Sequence, residues 1–311
     1  MASSETRQTL LRQETDLLHL LTKDELPKLL EWLEQHLPES WRLFGMVREE
    51  VLGRWNAFHF FSLGWPNILA AGTGNPCDDG KLVDYFTTPL RVTVYSPEET
   101  NARRLLTHPG YLDWTQCMLF MVPHELGDLV VSLSKEYCSK DDLPQRDITH
   151  VMEAKPGCVL PRLLPAGMTT KELQFSKHGE LAKKNWFRKP YSDKYMEEVW
   201  RHFPVVGVFG QDGSCLGYEC FTEFGTMGML FVREEARGQG IGSFLTSKMA
   251  EMRFQDGHSA VISVQDGNGP SARLHQRLGF KTVCKADIII HARKIGQKEA
   301  NEKGSKWPIW C

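Results

Sequence analysis

Leucines recur at three- and four-residue intervals over residues 9–37: Leu10, Leu11, Leu17, Leu18 and Leu21, then Leu29, Leu30, Leu33 and Leu37, with Pro27 between the groups. This period predicts two amphipathic helices. After Pro38 the apolar positions fall into short runs that read as extended, at 42–47, 57–63 and 91–95, the last alternating Val92 and Val94 before Pro97. Residues 71–80, rich in Gly, Asn and Asp, read as a loop. The first half is thus expected to be a mixed α/β unit. Charges, glycines, Pro156, Pro161 and Pro165 crowd residues 139–170 and put a boundary near residue 160, dividing the chain into 1–160 and 161–311.

Beyond that boundary the pattern is more regular. Helices are expected at 173–186 and 192–202, then strands at 205–209, from Cys215, and at 227–232, the first two separated by the turn Gly210-Gln211-Asp212-Gly213. A helix at 240–253, a strand at 260–264, a helix at 271–278 and a strand at 283–291 complete the half. No repeat at solenoid spacing occurs.

Composition narrows the partners. A net charge of -2 gives no whole-chain attraction to nucleic acid, so a nucleic-acid role is disfavoured. No apolar run approaches the roughly 20 residues of a membrane span, and Glu5, Glu14, Asp16 and Asp24 make the N-terminus too acidic for a transit or signal peptide. The eight cysteines are scattered, with no Cys-x-x-Cys and no His-Glu-x-x-His, so they are expected to be reduced and no metal is expected.

The candidate chemistry centres on the stretch Arg237-Gly238-Gln239-Gly240-Ile241-Gly242, which follows an apolar strand and opens a helix. Glycine lets backbone approach a ligand closely, and the free amides at a helix start point at an anion. Neither a Walker Lys-Ser pair nor a strand-initial Gly-x-Gly-x-x-Gly is present, which argues against nucleotide hydrolysis and dinucleotide binding. A second motif, NGPSARLHQRLGF, runs from Asn268 to Phe280 and places Ser271 and Leu274 on one helical face before a glycine stop.

Together the two motifs resemble the acyl-CoA-dependent N-acyltransferases of the GNAT superfamily. The stretches LPESWRLFGMV (37–47), VYSPEET (94–100), YLDWTQ (111–116) and HFPVVGVFGQDGSCLGYE (202–219), with the ending KWPIWC, are further similar to the glycine N-acyltransferase family, in order and over nearly the whole chain. The resemblance implies an α/β (α+β) fold of two GNAT-like mixed-sheet halves, of which only the second keeps the CoA loop. It implies transfer of an acyl group from its CoA thioester to the amine of glycine or another small amino acid, with acyl-CoA as co-substrate and no permanently bound cofactor. The family resemblance points to mitochondria, whereas the acidic N-terminus points to cytoplasm. Nothing in the sequence reports an oligomeric state.

On this resemblance, the amides of Gly238, Gln239, Gly240 and Gly242, with Arg237 and the start of the helix at Ile241, anchor the diphosphate. Leu230, Phe231 and Val232 pair with the pantetheine arm and offer an N–H to the carbonyl oxygen, and Asn268 hydrogen-bonds that arm. His275 holds the place where the superfamily has a tyrosine that protonates the leaving sulfur; a helical histidine beside CoA with no chemical duty is the alternative. Thr226 stands where the family carries its catalytic glutamate, and threonine is no base at neutral pH. Glu223, three residues earlier, and Glu219, seven earlier, are the acidic alternatives. The substitution leaves open slow catalysis, a different base, an amine that arrives deprotonated, or a protein that binds acyl-CoA without efficient turnover.

Overall fold

The computed structural model describes residues 17–74, 90–138, 143–185 and 192–291. The ending KWPIWC, Leu10 and Leu11 lie outside these residues. Two compact units emerge: residues up to 146 together with 286–291, and residues 147–285. The first unit is discontinuous in the chain, because the end of the last strand belongs to it.

In the first unit, β1 (Leu18–Leu20) precedes α1 (Leu26–Glu34) and α2 (Trp41–Val51). Within the described end of the expected first helix, Leu18–Leu20 form a strand: Leu18 and Leu20 pair with Leu63 and Phe61 of β2 (His59–Leu63), so a partner distant in sequence overrides the leucine period there. The second expected helix stands as α1. Pro27 lies in its first turn, where the missing N–H has no intrahelical acceptor to lose, so it opens a helix and does not interrupt one. Residues 42–47, expected to be extended, are helical. α2 buries Arg42, Arg48 and Glu49 as well as Trp41, Leu43, Met46 and Val47, and these inward charges hide its period. Glu49 is fully buried and accepts Arg54 Nε at 3.0 Å and Arg48 Nη2 at 3.4 Å.

β2 pairs antiparallel with β3 (Ala70–Gly74), which takes residues 71–74 out of the expected loop; residues 75–80 lie outside the described chain. The strand expected at 91–95 divides at Thr93. β4 (Leu90–Val92) runs parallel to β6 (Met118–Pro123), whereas β5 (Val94–Tyr95) joins β3, giving the sheet order β1-β2-β3-β5. β6 also pairs antiparallel with residues 286–291. α3 (Glu99–Leu106) and α4 (Gly127–Tyr137) close a core that includes Leu63, Val92, Leu105, Phe120, Leu129 and Ile289.

The second unit begins in β7 (Gln145–Ala154), a strand that the charge-rich stretch had concealed. It continues with β8 (Thr169–Glu172), α5 (Phe175–Asn185), α6 (Ser192–His202), β9 (Val205–Phe209), β10 (Cys215–Phe221) and β11 (Met227–Val232). α7 (Ile241–Gln255), β12 (Ala260–Gln265), α8 (Gly269–Arg277) and β13 (Lys281–His291) follow. From α5 onward every element falls within about two residues of its expected place, because short apolar runs and helical segments are separated there by glycine and polar turns. The sheet order is β11-β10-β9-β8, with α7 packed across β9, β10 and β11, while β12 pairs antiparallel with β7. No helix among the described residues is long and apolar enough to cross a membrane.

Candidate functional site

Strand β11 ends at Val232, and the chain passes through Arg237-Gly238-Gln239-Gly240 into α7. Gly238 (φ 78°) and Gly240 (φ 88°) have left-handed backbone, and a Cβ on either would meet nothing within 4 Å. Glycine is required there for conformation, and the space beyond it is open. The first intrahelical bond runs from Phe244 N–H to Gly240 O at 2.9 Å, so the amides of Ile241, Gly242 and Ser243 have no intrahelical acceptor. No side chain caps this 15-residue helix and no acid lies in its first turn, leaving its positive end uncompensated. Arg237 Nε braces the loop on Val232 O at 3.2 Å, and Gln239 Nε2 does so on Glu235 O at 3.3 Å. Gly242 is packed: a Cβ would lie 3.1 Å from Leu274 of α8. Residues 237–240 are thus an exposed turn running into α7, where Ile241 is buried, and free amides at a helix start can hold a phosphate or diphosphate.

Beside it, β11 is irregular. Gly217 pairs with Val232 and Tyr218 with Phe231, but the next pair is Cys220 with Gly228. One residue of β10, Glu219, therefore faces two of β11, Met229 and Leu230, in a β-bulge. Met229 has φ 56°, a left-handed backbone that costs a non-glycine residue about 1–2 kcal/mol. The bulge turns the backbone at Met229 and Leu230 out of the ladder. β11 is also the edge strand of its sheet, so half-buried Leu230, Phe231 and Val232 offer backbone groups to an extended ligand.

The ionisable groups around this strand are buried. Glu219, opposite the bulge, is 1% exposed and accepts the Thr246 hydroxyl of α7 at 2.9 Å; burial raises its pKa to about 8, against the lowering effect of that bond. Glu223 is fully buried and both its oxygens accept Tyr195 O–H at 3.0 Å. Thr226 is also buried; its hydroxyl lies 2.8 Å from that of Thr222, and its carbonyl accepts Thr222 N–H at 2.9 Å, closing the turn between β10 and β11. Arg253, which the sequence gave no reason to single out, is 1% exposed, stacks over Phe221 at 4.6 Å and donates to Gly225 O at 2.7 Å, fastening the same turn to α7.

His275 is 4% exposed on α8. Its Nδ1 lies 2.8 Å from Ser271 O, an acceptor only, which places the ring proton on Nδ1. Burial lowers its pKa to about 4, opposed by that bond, so the ring is neutral at neutral pH, with Nε2 unpartnered among the described residues. Asn268 caps α8, its Oδ1 accepting Ser271 N–H at 3.2 Å. Among the described residues no group of three or more His, Cys, Asp or Glu is placed to hold a metal ion.

The first unit repeats the order strand, turn, helix at β5 and α3, with opposite electrostatics. Glu98 and Glu99 start α3, and Glu98 Oε2 accepts Asn101 Nδ2 at 3.1 Å. Carboxylates at a helix start repel phosphate, so this turn lacks the chemistry of the cradle at Gly240.

Parts of the chain are similar to known proteins. The FR47-like protein family model matches residues 205–288, from β9 into β13. An L-methionine sulfoximine/L-methionine sulfone acetyltransferase of Pseudomonas aeruginosa is 32% identical over 105 residues, 31% of this chain, which spans 58% of that relative's length. The glycine N-acyltransferase of Mus musculus is 20% identical over 259 residues, covering 76% of this chain and 85% of the mouse protein. Among solved structures, a Drosophila protein superposes with a TM-score of 0.72 at 16% identity, covering 88% of this chain and 98% of that one. A tandem GNAT protein from the clavulanic acid biosynthesis pathway superposes at 0.53 with 12% identity, covering 88% and 97%.

Proposed function

The chain has a tandem GNAT-like fold, and on that premise we propose that its second unit transfers an acyl group from a CoA thioester to the amine of glycine or another small amino acid. The observation that carries this reading is the pairing of an uncapped, acid-free helix start at Gly240 with the bulged free edge of β11. The cradle takes the diphosphate, the edge of β11 takes the amides of the pantetheine arm, and the backbone N–H turned out by the bulge polarises the thioester carbonyl. Holding both reactants in line supplies much of the rate.

The proton of the attacking amine goes to Glu219 in this scheme, through water. It lies opposite the bulge, and burial gives its carboxylate a basicity suited to taking a proton near pH 8. Glu223 is tied through both oxygens to Tyr195, and Thr226 serves the turn. His275, neutral with its proton spent on Ser271 O, orients α8 beside the cradle while the thiolate takes its proton from solvent.

Release of free thiol from acetyl-, benzoyl- and long-chain acyl-CoA with glycine and a panel of amino acids tests the proposal. Turnover with at least one pair is expected. Measurable CoA binding with no thiol release from any pair would favour a second reading, an acyl-CoA-binding protein without efficient turnover, which the seating of Thr226 inside a structural turn supports.

A further inference from the structure

Helix α7 opens at the glycine turn and packs across β9, β10 and β11, so its inward face calls for apolar residues, and Ile241, Leu245, Met249 and Ala250 supply them. Thr246 stands among them with no exposure at all. A helical threonine commonly turns its hydroxyl back to a carbonyl of its own preceding turn. This one donates instead to Oε2 of Glu219, in β10, at 2.9 Å. A valine has the same shape and a similar preference for the helix, so packing alone gives no reason for the hydroxyl. The carboxyl group opposite the bulge does.

The bond divides the two carboxyl oxygens. Oε2 is committed to Thr246, while Oε1 accepts no bond among the described residues. In the neutral acid the carbonyl oxygen is the better acceptor, so Thr246 selects Oε1 as the oxygen that carries the proton. Val206 of β9 and Met229 and Leu230 of β11 face Glu219 across the neighbouring strands and bring no charge. The ionisable groups of the packed elements are committed elsewhere. Burial keeps Cys215, Tyr218 and Cys220 protonated, Glu223 accepts Tyr195 O–H, Lys248 pairs with Glu251 at the surface of α7, and Arg253 donates to Gly225 O. The Thr246 hydroxyl therefore favours the charged form of Glu219 against the burial that opposes it.

We propose that Thr246 is the positioning residue for proton transfer in this site: it holds Oε2 of Glu219 and leaves Oε1 to the water that relays the proton of the amine. The inference rests on the acyl-transfer reading and on Glu219 as its base. As the amine nitrogen bonds the thioester carbon and the C–S bond breaks, the proton leaving nitrogen passes through water to Oε1, and the departing thiolate takes a proton from solvent. One helix then fixes both the diphosphate end of the co-substrate and the group that receives the proton.

The test compares wild type with Thr246→Val and Thr246→Ser in two readouts, Thr246→Ala taking the place of valine if that variant does not fold. In the first, the 13C carboxyl signal of Glu219, assigned by its loss in Glu219→Gln, is titrated by NMR without substrates. It is expected to titrate near pH 8 in wild type, about one pH unit higher in Thr246→Val, and close to wild type in Thr246→Ser. In the second, kcat/KM for the amine is followed from about pH 6 to 10 with an acyl-CoA and amine pair that releases thiol. Wild type should exceed Thr246→Val about tenfold at pH 7, with the ratio closing toward one near pH 10, where both carboxyls are ionised; titration of the amine itself cancels in the ratio. A ratio constant across pH would mark a merely structural role and overturn the inference, as would a carboxyl titration that valine does not move; acyl transfer stands in either case. A titration that moves while the ratio stays at one would overturn the assignment of the base and this inference with it. Wild-type protein that binds CoA and releases no thiol from any pair would overturn the acyl-transfer reading itself, and the inference that rests on it.

Discussion

Glu219→Gln joins stability and catalysis in one residue. The folded carboxyl has its pKa raised from 4.5 to about 8 by burial. Below the unfolded value both states hold the proton and the residue costs nothing through ionisation. As pH rises from about 4.5 the unfolded chain releases the proton and the folded one does not, so stability falls until the folded group ionises near pH 8. At 1.36 kcal/mol per pH unit the loss reaches roughly 3 kcal/mol at pH 7 and 4–5 kcal/mol above pH 8. Glutamine cannot titrate, and its amide oxygen still accepts the Thr246 hydroxyl. Urea unfolding from pH 5 to 9 should find the two proteins within about 1–2 kcal/mol at pH 5 and the variant several kcal/mol more stable at pH 8. The same variant should lose about 10²–10⁴-fold in kcat, with KM for acyl-CoA little changed, if Glu219 takes the amine proton. Parallel stability curves would refute the burial argument; full activity would refute the assignment of the base.

Three further substitutions probe separate parts of the molecule. Gly240→Val forces a β-branched residue to φ 88° and puts a side chain in the open face of the cradle; KM for acyl-CoA should rise at least about tenfold for ~1.4 kcal/mol of lost contact, with the fold intact by circular dichroism. Arg253→Met removes a donor to Gly225 O and the guanidinium stacked over Phe221, and should cost about 1–3 kcal/mol in denaturant unfolding. Gly127→Ala would drive a Cβ into Asp287 Oδ2, where that fully buried carboxylate holds His124 Nδ1 at 2.9 Å and Arg146 Nε at 2.7 Å; a loss of about 3–5 kcal/mol is expected, and a neutral result would show that the pair shifts freely.

Legibility differed sharply between the two units. From Phe175 onward most strands and helices are set apart by glycine or polar turns, so local and tertiary preferences agree on where they lie, even for the wholly buried Val205–Phe209. The glycine turn at 237–240 was legible for the same reason, since its conformation belongs to consecutive residues. The first unit misled at β1 and α2. In β1 three residues owe their conformation to the distant β2, and in α2 buried Arg42, Arg48 and Glu49 break the apolar stripe.

The sequence alone determined the order of elements in the second unit from α5 onward and the glycine turn that opens α7, because these are properties of neighbouring residues. Tertiary structure decided which charges are hidden and how strongly each holds its proton. The raised pKa of Glu219, the neutral imidazole of His275 and the tie between Tyr195 and Glu223 arise from groups far apart in the chain. Desolvation depends on everything packed around a group, and no local stretch records it.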